Sequence, residues 1–192
     1  DALPWSWNAG VARSESEVDV IWLLVACRHP DGGDTGPGSA TCDEGELVVV
    51  AGVEGAAGRG ADGLLATRTW LSLPQDVTPG PGGVFWVDDY NSHLIREVGA
   101  DGVSHVVVGS GFPGGGEGGP ALDEPLDHPT MALPDPSDPN VLWFAATGNH
   151  RIGRLSRSTG MVSFPYVGWA PRFHALDFDG DEDLLVVNLA GE

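Results

Sequence analysis

Basic side chains are scarce in this sequence. Nine Lys and Arg stand against 28 Asp and Glu, a net charge of −19 with a pI near 4.3. The nine are scattered rather than clustered, and so acidic a chain repels phosphate backbones, which argues against nucleic acid as a partner. Cysteine is nearly absent too. Cys27 and Cys42 are the only two, and neither has a CxxC or His-rich neighbour that would make a zinc site. The run Val20–Ala26 is seven residues long, well short of the roughly 20 that span a bilayer. No segment carries a sustained helical period with a cap at its start, so helix is expected to be minor.

The common catalytic motifs are missing as well: there is no GxSxG elbow, no GK[ST] and no HExxH. Gly109–Gly114, "GSGFPG", satisfies GxGxxG in form. A dinucleotide site needs a helix to start there, so that its amides face the pyrophosphate, and "GGEGGPALDEP" cannot supply one. The stretch reads as a connection between units.

Gly and Pro are abundant. Together they make 44 of the 192 residues (29 + 15), a share that suits a turn-rich all-β protein. Between the turns lie short runs rich in Val, Trp, Phe and Ile, and seven Trp supply apolar mass for a core. One such segment is written twice. "FWVDDYNSHLIREV", Phe85–Val98, and "LWFAATGNHRIGRL", Leu142–Leu155, share Trp86/Trp143, His93/His150 and Ile95/Ile152, each pair 57 positions apart (143 − 86 = 150 − 93 = 152 − 95). Pro74 and Pro129 precede the two copies. A third, weaker copy starts at Pro171, where "APRFHALDFDGDEDLLVVN" reads as strand, acidic turn, strand. Upstream, "GELVVVAG" (Gly45–Gly52) reads as the closing strand of a unit whose earlier part is absent.

Each unit therefore reads as about four short strands, the pattern of a propeller blade, in which neighbours must stack because one blade cannot cover its own apolar faces. The hairpin resembles the NHL repeat, which has an aromatic-containing strand, an Asp, a small turn, Asn-His, and a basic-apolar-basic strand. Asn149, His150 and Arg151 in "GNHRI" match that core, as do Asp89, His93 and Arg96 in the first copy. Ser92 stands where Asn is expected, Ala146 where Asp is expected and Gly153 where a basic residue is expected. The resemblance implies an all-β, NHL-type β-propeller over residues 46–192. Those 147 residues divided by 57 make about 2.6 blades, so the chain is expected to be a fragment of a longer propeller or an open arc. The matched positions of His93 and His150 imply a repeated structural role, the imidazole capping its turn by bonding backbone or Asp89.

Residues 1–45 have a different character. Val20–Ala26 followed by Cys27 resembles a lipoprotein signal whose Cys becomes lipidated, and the Gly/Asp-rich stretch after it resembles a tether. Against that, the preceding "SESEVD" is acidic where such signals are basic. A buried strand is the other reading of Val20–Ala26, and a Cys27–Cys42 disulfide is an alternative that excludes lipidation. Lipidation and the disulfide both imply an extracytoplasmic protein.

Asp177, Asp179, Asp181 and Asp183 are the most ligand-like cluster, with carboxylates at alternate positions around a glycine. They resemble the acidic calcium loops of FG-GAP or VCBS propellers, but no later acidic ligand follows, and a plain acidic hairpin turn is the competing reading. Taken together, the sequence points to a non-catalytic binding or scaffolding module, exported and tethered through lipid alone. Its ligand would be a protein, carbohydrate or other small molecule, and it would need no cofactor beyond weakly held Ca²⁺. The alternative is a propeller-fold, metal-dependent lyase or lactonase with its ligands spread over several blades.

Overall fold

The computed structural model of the chain describes residues 8–13, 21–26, 47–167, 172–179, 181 and 183–189. All sheets are antiparallel, and among the described residues there is no α-helix, only three single 3₁₀ turns. Strands β1 (Asn8–Arg13), β2 (Ile21–Ala26) and β3 (Leu47–Ala51) form a first sheet in the order β1-β2-β3.

The second sheet holds β4 (Leu64–Leu65), β5 (Val77–Pro79), β6 (Phe85–Asp89), β7 (Leu94–Val98) and β8 (Val103–Val108), in the order β5-β6-β7-β8-β4. The third repeats it with β9 (Gly119–Pro120), β10 (Pro129–Pro134), β11 (Val141–Ala146), β12 (Arg151–Ser156) and β13 (Met161–Val167), in the order β10-β11-β12-β13-β9. In both, four strands run as a meander and a two-residue strand from upstream closes the far edge. A hairpin of β14 (Arg172–Phe178) and β15 (Leu184–Leu189) follows.

The two central hairpins agree in register as well as in order. Phe85 pairs with Val98 and Asp89 with Leu94, while Leu142 pairs with Leu155 and Ala146 with Arg151. Adding 57 to each member of the first set gives the second. The 57-residue repeat is thus a repeat of structure.

Burial explains the sequence of each strand. Strand β11 is covered on both faces and reads as an unbroken apolar run, VLWFAA, whereas β13 at the outside leaves most of its residues exposed. The apolar clusters lie between successive sheets. Ala51 of β3 joins Leu71, Val77, Val87 and Val98 of the second sheet's unit. Trp86, Ile95 and Val108 join Leu142, Phe144 and Leu155 across the next seam, and Ala145 and Ile152 join Leu176 of β14 across the last. Each fully buried Leu, Ile or Phe contributes about 1.5–3 kcal/mol, and the clusters that bury them draw on two successive sheets. The first strand of each unit makes the crossing: β10 packs on β5, β6 and β7, and β14 packs on β10, β11 and β12.

Two expectations change. Strand β3 does not lack its earlier partners, because β1 and β2 precede it in one sheet. Ile21–Ala26 is the middle strand of that sheet, so the apolar run has strand neighbours on both sides. Cys27 and Cys42 lie outside the described residues, and with them the lipidation and disulfide readings.

Candidate functional site

The turn of each central hairpin is built the same way. Tyr90–Ser92 forms a 3₁₀ turn, and His93 follows in the left-handed region at φ 57°. His150 does the same at φ 56°. The His93 amide donates to the Tyr90 carbonyl (3.1 Å) and that of His150 to the Thr147 carbonyl (3.2 Å). Left-handed φ is uncommon for a residue with a Cβ, and His is among the types enriched there.

A segment from just upstream braces each turn. The Asn91 amide donates to the Ser72 carbonyl (3.0 Å), and the Gly148 amide to the Asp127 carbonyl (2.8 Å). The next residues, Leu73 and His128, are both left-handed, at φ 50° and 51°, and each precedes a proline. The returning bond uses different side chains. The Ser72 amide donates to Asp89 Oδ1 (2.7 Å), but the Asp127 amide donates to Asn149 Oδ1 (2.7 Å). Asn149 also donates to the Gly114 carbonyl, and Arg151 to the Gly116 carbonyl, tying the Gly-rich connection to the turn.

Inside the second sheet, Asp89 and Arg96 form a fully buried ion pair, Nε to Oδ2 at 2.9 Å, and Arg96 also donates to the Gly60 carbonyl (2.8 Å). Burial raises the Asp89 carboxyl above the ordinary carboxylate value, and the Arg96 guanidinium opposes that rise. The third sheet carries neither group. Gly153 stands at the Arg96 position, and a Cβ there would lie 2.0 Å from the Phe144 ring. Phe144 is Gly153's cross-strand partner, as Val87 is Arg96's. The ring occupies the space that the guanidinium stem takes in the other sheet. The missing Asp and basic residue of the second copy are therefore one exchange, an ion pair for an aromatic ring on a glycine.

Asp88, next along β6, faces the other way, toward the seam with β10. It is fully buried and neither carboxylate oxygen closes a hydrogen bond. Burial and the nearby Asp76 push its carboxyl well above the ordinary value, the Ala132 amide on β10 pulls it back and Asp89 raises it further. Its counterpart in the third sheet is Ala145, buried and apolar.

His93 does not bond Asp89. Its Nδ1 accepts the amide of His128 from the next unit (3.3 Å) rather than a group of its own turn. Asp127 Oδ1 lies 3.6 Å from His93 Nδ1 and 2.6 Å from His128 Nδ1. The two imidazoles meet edge to face with centroids 4.6 Å apart, and Tyr90 packs on His128 at 4.4 Å. Burial lowers the His93 pKa, His128 lowers it further and Asp127 opposes. Among the described residues this is the one place where three metal-ligating groups converge.

Asp177, Asp179, Asp181 and Asp183 are exposed at the β14–β15 turn. Asp179 Oδ1 accepts the amides of Asp181 (2.9 Å) and Asp183 (3.0 Å), and so closes its own turn. No helix follows Gly109–Gly114. Beside that connection is a crevice of about 280 Å³ lined by Arg59, Leu94, Val106 and Leu122, with Arg59 stacked 5.0 Å from the exposed Phe112 ring. A second, of about 460 Å³, follows the glycines of 115–119 past Glu124, whose carboxyl burial raises.

Reading the sequence missed Asp127 and His128. The available signal was the departure of "DHP" from "SLP" at matched places in the repeat. No family model matches the chain, and a search of curated proteins finds no match.

Proposed function

We propose that the chain is part of an NHL-type β-propeller that acts outside the cytoplasm as a non-catalytic binding or scaffolding module, with Cys27 as the point of a lipid tether. One observation carries this reading: two units of equal strand order and register stack through their first strands, with apolar cores between them. Stacked blades present loops from successive units side by side, the usual place where such repeats bind. The crevice lined by Arg59, Asp62, Leu94 and Leu122 lies at such a junction, beside the Phe112 ring that packs on Arg59, and Phe112 and Leu122 are more than half exposed. The net charge of −19 favours a neutral or cationic ligand over a polyanion. In this reading Asp177–Asp183 is an acidic turn that at most holds Ca²⁺ weakly, since no later acidic ligand follows the loop and Asp179 already spends one oxygen on its own backbone. The metal-dependent enzyme is the second reading, and the convergence of His93, Asp127 and His128 is what favours it.

Probing peptide and glycan arrays with the labelled chain tests the binding reading. The expected result is a saturable ligand whose affinity falls at least about tenfold, the equivalent of roughly 1.4 kcal/mol, in Phe112→Ala/Leu122→Ser. A ligand indifferent to that pair removes the crevice, and turnover of a lactone by the chain removes the non-catalytic reading.

A further inference from the structure

From the seam between the second and third sheets, we infer that His93, Asp127 and His128 form a binding site for a borderline divalent transition metal of the Zn²⁺ class. The bracing segment uses only the backbone of residue 127, its amide donating to Asn149 and its carbonyl accepting from Gly148. The equivalent segment of the preceding unit performs the same task with Ser72 and Leu73, and Leu73 takes the same left-handed conformation as His128. The brace itself therefore makes no use of the side chains of Asp127 and His128, which meet each other, Tyr90 and His93 instead. They depart from the repeat at the one place where the next unit's segment meets His93.

The chemistry of the cluster is specific. Two imidazole nitrogens approach one carboxylate oxygen, at 3.6 and 2.6 Å, and one ligand atom from each of the three residues lies within 4.8 Å of the others. Tetrahedral zinc with bonds of about 2.0–2.1 Å holds its ligand atoms roughly 3.3 Å apart. The triangle reaches that size if the His128–Asp127 contact opens by about 0.7 Å and the His93–Asp127 separation closes by about 0.3 Å. The two imidazole ligand atoms, now within 4.8 Å of each other, draw together as well, and the metal replaces both the Asp127–His128 hydrogen bond and the bond from the His128 amide to His93 Nδ1. Two nitrogens and one carboxylate suit Zn²⁺, Cu²⁺ or Ni²⁺ better than Ca²⁺ or Mg²⁺. Access is also present, because the side chains are 12% (His93), 30% (Asp127) and 36% (His128) exposed. Three protein ligands leave a fourth position for water or an incoming ligand. The site is local to the seam. His150 repeats His93, but at the third copy the places of Asp127 and His128 fall to Trp169 and Ala170, aligned on Pro171, and neither side chain ligates a metal.

The test is zinc titration calorimetry of the whole chain in millimolar Mg²⁺, which occupies oxygen-only carboxylate sites and leaves a nitrogen site to zinc. One zinc per chain is expected. Asp127→Ser/His128→Leu writes the preceding unit's own residues into this one and keeps the fold, read as an unchanged circular dichroism spectrum. Since altering even an outer-shell partner costs about 10–100-fold in metal affinity, losing two ligands is expected to cost at least about 100-fold. His93→Asn, with a side chain that tolerates the left-handed turn, is expected to lose affinity similarly, and His150→Asn to lose none. Cu²⁺ in place of zinc is expected to show nitrogen couplings in its paramagnetic resonance spectrum that disappear in the double variant. Absence of saturable zinc binding in Mg²⁺, or equal affinity in the chain, the double variant and His93→Asn, overturns the site.

Discussion

Arg96→Ala is expected to destabilise the fold by about 3–5 kcal/mol, because it strips the partner from a fully buried carboxylate. Asp89 would keep the Ser72 amide and lose its only cation, while the Gly60 carbonyl would lose the bond that Arg96 gives it. Against a total stability of about 5–15 kcal/mol, that loss removes a large share. Urea unfolding measures it: with a slope of about 1–3 kcal/mol per molar, the midpoint moves down by at least about 1 M. The penalty also depends on pH. Without Arg96 the folded-state pKa of Asp89 rises further above its unfolded value, so the cost is largest above that raised pKa and shrinks as acid neutralises the carboxyl. A loss of stability under about 0.5 kcal/mol, or one that grows on acidification, would contradict the buried pair as described.

Asp88→Ala is expected to act in the opposite direction. The Asp88 carboxylate is buried without a well-formed hydrogen bond, the Ala132 amide being the one donor that favours its charge, and the equivalent residue one unit on is already alanine. Leaving such a group unsatisfied costs about 1–3 kcal/mol, which the substitution recovers at neutral pH and above. The sign of its pH dependence follows from the raised carboxyl. Asp88's contribution is most favourable below its unfolded pKa of about 3.9 and is lost as pH rises through the folded-state pKa. The variant's advantage is therefore expected to grow with pH and to vanish toward pH 4. Thermal melts of both proteins from pH 4 to pH 8 measure it. Besides burial, the groups that set the effect are Asp76 upstream of β5, the Ala132 amide on β10 and Asp89, the next residue along β6. A variant less stable than the parent at pH 8 would show that the carboxylate has partners that matter.

Much of the fold is legible in the residues, and the reasons differ by element. The central hairpins are readable because Trp86, His93 and Ile95 recur at one offset and the turn between them needs residues that tolerate a left-handed backbone. The edge strands β4 and β9 are not readable, since two residues inside glycine-rich connections carry no period. Val20–Ala26 is ambiguous for a physical reason: a strand with strand neighbours on both sides and the apolar core of a signal call for the same residues. Ala146 and Gly153 read singly as losses from a motif. Only the cross-strand pairing of Phe144 with Gly153 shows them to be a different filling of the same space. The His93 cluster was hidden for a related reason, because Asp127 and His128 reach it across a seam between units. Sequence distance says little about which turn a bracing segment will meet.

The two hairpins are interchangeable solutions to one structural problem, and a graft of one onto the other measures this. Replacing residues 85–98 by the residues of 142–155 brings Phe144, Ala146, Asn149 and Gly153 together into the second sheet. The ring fills the space left by Arg96, and the asparagine supplies the acceptor for the Ser72 amide that Asp89 now provides. Urea unfolding of the graft is expected to show one cooperative transition and to recover at least half of the roughly 3–5 kcal/mol that Arg96→Ala alone loses. A graft no more stable than Arg96→Ala, or one that unfolds without a cooperative transition, would contradict the equivalence of the two units.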